Sequence, residues 1–111
     1  MSDKSTPNER SLRRITPAEM RLRFNEGLYW DKVKSGELIA HVMQSRLSKS
    51  LPNETVEIQS QMLSYRDSTG QEIARVHQYS RPDGTIAASG KPDPKRLLDD
   101  GILYRLEKKS T

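Results

Sequence analysis

The hydrophobic rhythm of the chain changes near residue 37. Before that point apolar positions recur at helical spacing, with Met20, Phe24 and Leu28 four apart on one stripe. Thr16-Pro17-Ala18-Glu19 reads as a helix start: Thr16 caps, Pro17 suits the first helical position, and Glu19 closes a capping box. Met20 to Phe24 also alternates strictly, as a strand does, and the capping signature decides for a helix running to about Glu26. Gly27 breaks or bends it. Leu28 to Lys34 reads as a second short helix that Ser35-Gly36 stops.

From Glu37 onward the period becomes two. Strands are expected over Glu37–Ser45, Thr55–Arg66, Gln71–Arg81, Thr85–Ala88 and Ile102–Glu107. Residues 46–54 form a loop, and turns fall at Asp67–Gly70, Pro82–Gly84 and Asp99–Gly101, where glycine and proline supply the needed φ values. Residues 89–94 are not expected in a central strand, because Pro92 and Pro94 lack ladder donors; Asp93-Pro94 instead caps a one-turn helix through Leu98. The expected fold is α+β: one or two N-terminal helices, then an antiparallel β-meander of about four to five strands, with the helices on one face. Residues 1–15 are polar, without periodicity, and are expected as a flexible basic arm. Residues 16–107 form a single domain, and 108–111 a polar tail. There is no internal repeat.

Composition narrows the classes. Leu, Ile, Val and Phe total 22 of 111 residues, at the edge of what a folded core requires, but a net charge of only +4 does not add the charge signature of disorder. A domain this small buries a limited fraction of its surface, so a protein partner or a homodimer is a natural source of further burial. With no Cys, disulfide frameworks, Cys-ligated zinc and thiol catalysis are excluded. No run approaches the ~18 apolar residues of a membrane span, and the N-terminus has no apolar signal core. A cytoplasmic chain is the expectation.

The densest polar cluster is Arg75-Val76-His77-Gln78-Tyr79-Ser80-Arg81. Strand alternation gathers Arg75, His77, Tyr79 and Arg81 on one face and turns Ala74 and Val76 toward a core. Such a face suits a phosphate: forked arginines bind it, and an imidazole titrates near neutrality. The plainer reading is a solvated strand face, which carries long polar residues by default. A second candidate is the proline-stiffened loop 89–96, with Lys91, Lys95 and Arg96. It is not a P-loop, since five residues separate Gly84 from Gly90 and Pro92 stands where Ser or Thr must follow the lysine. Its plainer reading is a connector.

The third candidate is the basic N-terminal stretch around Arg13 and Arg14, which attracts phosphate without sequence preference. Tyr29 and Trp30 nearby suit base stacking or, more simply, the core. Two His and no Cys leave no metal site in prospect, and no cofactor is expected.

The expected function is binding of a polyanion, foremost nucleic acid such as RNA, through Arg75, Tyr79, Arg81, Lys91, Lys95, Arg96, Arg13 and Arg14. One alternative is a metal-independent endoribonuclease, with His77 as base and Arg75 or Arg81 stabilising the phosphorane. The element order is similar in outline to small basic endoribonuclease toxins, a likeness of fold that transfers no catalytic residue. The other alternative is a non-enzymatic protein–protein adaptor.

Overall fold

The computed structural model describes residues 11–48, 51, 54 and 56–108. The elements are β1 (Ser11–Ile15), α1 (Pro17–Glu26), α2 (Tyr29–Lys34), β2 (Ile39–Leu47), β3 (Gln59–Arg66), β4 (Glu72–Ser80), β5 (Asp93–Asp99) and β6 (Ile102–Leu106).

Helix α1 starts where its capping chemistry requires. The Thr16 hydroxyl accepts the Glu19 backbone N–H at 3.1 Å, and the Glu19 carboxylate accepts the Thr16 N–H at 3.3 Å. Met20 and Phe24 are buried, but the stripe ends there: Leu28 is exposed and sits at φ 56°. Gly27 ends the helix with an ordinary φ of −81°. What it provides is room, because a Cβ at this position would run into the Tyr29 ring. Helix α2 stops at Ser35, and Gly36 follows at φ 87°.

The six strands form one mixed sheet in the order β1-β6-β5-β4-β3-β2. Strands β2 to β6 form an antiparallel meander with consecutive neighbours, as expected in outline. The α+β class holds, but the sheet gains a sixth, parallel strand. Residues 11–15, expected within a flexible arm, instead pair parallel with β6, from Ser11↔Ile102 to Ile15↔Leu106. Only Ile15 of the five is buried, so the segment lacks the apolar alternation that announces a strand. Residues 1–10 of the expected arm lie outside the described residues, as does most of the tail.

A second correction concerns residues 93–99, which form strand β5 rather than a helical turn. Pro94 is tolerated for two reasons. The β4–β5 register shifts between Arg75↔Arg96 and Val76↔Pro94, so proline lies at a bulge. Strand β6 pairs only with Arg96–Asp99, so no ladder continues past Pro94 on that side. Residues 85–88, expected as a strand, contribute only the single bridge Ser80↔Ile86.

The helices cover one face of the sheet. Met20, Phe24 and Tyr29 pack with Leu63, Tyr65, Ala74, Val76, Leu97 and Tyr104. Phe24 lies between Tyr29 and Tyr65, with ring centroids 6.0 and 6.1 Å away. Burial pushes the Tyr65 phenol up to about 12, so it stays neutral. No helix among the described residues is long and apolar enough to cross a membrane.

Candidate functional site

Ala74 and Val76 face the helices, so alternation turns Arg75 and His77 to the opposite face, which is helix-free among the described residues. Register then assembles a row. Arg75 is opposite Arg96 on β5, Arg96 opposite Arg105 on β6, and Arg105 beside Arg14 on β1. Four arginines thus cross four adjacent strands, a span of about 14 Å at ordinary strand spacing. On its other side Arg75 is opposite Ser64 of β3, which is opposite His41 of β2.

Like charges directly opposite one another destabilise a sheet. The Glu72 carboxylate offsets part of this repulsion. Glu72 accepts Arg75 Nε and Nη2 at 3.1 Å each, and its oxygen lies 4.0 Å from Arg96 Nη1. Glu72 also accepts the Ser64 hydroxyl at 2.6 Å, and Arg66 Nε donates to Ser64 at 3.2 Å. Ser64 is fully buried on this face. The long side chains therefore lie over the sheet and screen it, as arginine stems do on apolar surfaces. Arg14 and Arg105 remain exposed, and Arg14 donates to the Leu106 carbonyl at 3.3 Å.

His77 continues this face along β4. Its Nε2 lies 2.7 Å from Ser60 Oγ, and its ring meets Tyr79 edge-on, with centroids 4.7 Å apart. Partial burial holds the imidazole pKa below its ordinary value; the Lys95 cation adds to this and Asp93 opposes it. Asp93 is opposite His77 in the ladder, pairs with Lys95 at 2.9 Å and lies 3.8 Å from Arg21 of α1. The imidazole is therefore neutral at neutral pH.

Not all the expected residues converge. Strand β4 ends at Ser80, and the turn that follows carries Arg81 away from the row. Its guanidinium makes a forked pair with Glu54, at 3.1 and 3.0 Å, and also donates to Thr85 and the Ile86 carbonyl. These contacts fix the 81–86 turn. Arg13 is opposite Tyr104, on the helix side of β1. Lys91 is exposed on the loop before β5.

A cavity of about 430 Å³ opens where β5 begins, lined by His77, Tyr79, Arg21, Asn25, Lys91 and Asp93 among others. A second, of about 540 Å³, lies under α2 between Trp30, Tyr65 and Ile86. Lys34 caps Trp30 there, with Nζ 3.7 Å from the ring centroid. Among the described residues no group of three His, Asp or Glu is placed to hold a metal ion.

Glu72, Arg105 and Asn25 were not candidates from the sequence. Arg105 does lie in an alternating run, but its alignment with Arg75 exists only through register. No family model matches the chain, and comparison with curated proteins and with solved structures gives no match.

Proposed function

We propose that this protein binds nucleic acid on the helix-free face of its sheet, with the phosphate backbone laid along the arginine row. The observation that carries this reading is the row itself: Arg14, Arg105, Arg96 and Arg75 in register, with Glu72 as the carboxylate set between Arg75 and Arg96. A polyanion relieves the cross-strand repulsion and releases its own counterions, so both effects favour binding. Forked guanidinium groups suit phosphate oxygens. The flanking Tyr79 and His77 rings suit bases.

The cleavage alternative is weaker. Of the two arginines it calls on to stabilise the phosphorane, Arg81 is paired with Glu54 and Arg75 with Glu72. Binding without cleavage is the reading put forward.

The test is a titration of labelled single-stranded RNA from ~50 to ~200 mM salt. Affinity falls steeply with salt, and Arg14→Ala and Arg105→Ala each reduce the slope by about one. Both side chains are exposed, so the fold survives the changes. Binding that ignores salt, or ignores both substitutions, overturns the proposal. Total RNA incubated in chelator stays equally intact with wild type and His77→Ala.

A further inference from the structure

The cavity at the start of β5 lies at one end of the arginine row. His77 is two residues beyond Arg75 on the same strand, a displacement of about 7 Å. The cavity joins the two layers of the molecule: His77 and Tyr79 come from the sheet, Arg21 and Asn25 from α1, and Lys91 from the loop before β5. Its volume of about 430 Å³ lies within the ~300–1,000 Å³ range of small-ligand sites. A single nucleotide is of that scale.

The lining is divided by chemistry. Arg21 and Lys91 are cationic and exposed, placed for a phosphate. The His77 and Tyr79 rings are perpendicular, at 86°, so one can present a face while the other closes an edge. The Asn25 amide offers both a donor and an acceptor, as a base edge requires. The charge of Asp93 is offset by Lys95 at 2.9 Å and Arg21 at 3.8 Å.

We infer that this cavity receives one unpaired nucleotide of the strand that follows the arginine row, which makes single-stranded nucleic acid the ligand class. A base stacked in a duplex cannot enter without first leaving the helix, at a cost in stacking and pairing. The inference rests on the proposed function, and the experiment separates the two.

Fluorescence anisotropy compares a labelled nine-nucleotide single-stranded RNA with an abasic phosphodiester strand of the same length and charge. The wild type binds the base-bearing strand about tenfold more tightly, in keeping with base–aromatic stacking. Asn25→Trp fills the cavity from an exposed helix position. It brings the ratio close to one and leaves the affinity for the abasic strand unchanged, with circular dichroism confirming the fold. A wild-type ratio near one overturns the pocket, as does a ratio that Asn25→Trp leaves intact; salt-dependent binding to both strands then still supports the arginine row. If neither strand binds in a salt-dependent manner, the proposed function fails and the pocket with it.

Discussion

Arg81 and Glu54, 27 residues apart, meet through two parallel N–H···O contacts at 3.1 and 3.0 Å. The pair ties the turn after β4 to the segment before β3. Hydrogen bonding from Arg81 holds the Glu54 carboxyl below its ordinary value, which outweighs the opposing effect of burial. The unfolded chain takes up this proton at higher pH than the folded one, so the pair stabilises above the ordinary glutamate range and is lost as pH falls through and below it. Arg81→Ala and Glu54→Gln therefore both lower Tm at neutral pH, Arg81→Ala by more because it also removes the contacts to Thr85 and the Ile86 carbonyl. The double variant is no worse than Arg81→Ala alone, and the gap between Glu54→Gln and wild type closes in acid. Scanning calorimetry across pH checks this. RNA affinity measured well below Tm is unchanged.

Glu72→Gln has two opposite effects. Arg75 and Arg96 lose the carboxylate set between them, so cross-strand repulsion rises and Tm falls. The same change makes the face more positive. Affinity for single-stranded RNA rises, and its salt dependence steepens by about one. Thermal melts and anisotropy on one preparation read both effects, and weaker RNA binding would contradict the row.

His77 introduces a second pH dependence. Its folded pKa is depressed by burial, so the unfolded chain protonates first and acid favours unfolding. Between about pH 7 and 5 the wild-type Tm falls more steeply than that of His77→Gln. Parallel curves in this window would show that the imidazole protonates equally in both states.

Gly27→Ala destabilises the protein, although an added methyl at a helix end usually does the reverse. The new Cβ meets the Tyr29 ring, whose hydroxyl donates to Asp99 at 2.8 Å. Displacing a buried ring of this kind costs about 1–3 kcal/mol. Urea denaturation measures it.

The legible parts of the fold are those set by neighbours in sequence. Thr16, Pro17 and Glu19 specify the start of α1 by themselves, and Met20 and Phe24 mark its buried side. Asp67 builds its turn by accepting from Thr69 and Gln71, all within five residues. Strand β1 was illegible because its partner lies 91 positions away and four of its five residues are exposed. Strand β5 was illegible because Pro94 is acceptable only where a bulge meets the end of the neighbouring ladder. The polar face of β4 was readable from alternation as far as Tyr79. Arg81 departed from it because alternation stops with the strand. The arginine row brings together residues that the sequence placed in an arm, a loop and two strands.

Parallel pairing of β1 with β6 also orders events during synthesis. The strand that residues 11–15 join is made about 90 residues after them, seconds to tens of seconds later at ordinary rates of elongation. Until residue 102 emerges, the nascent sheet ends at β5 with an uncovered edge, a surface that recruits other strands. The guanidinium row is completed at that same step, so a chain that has not yet reached Arg105 lacks part of it.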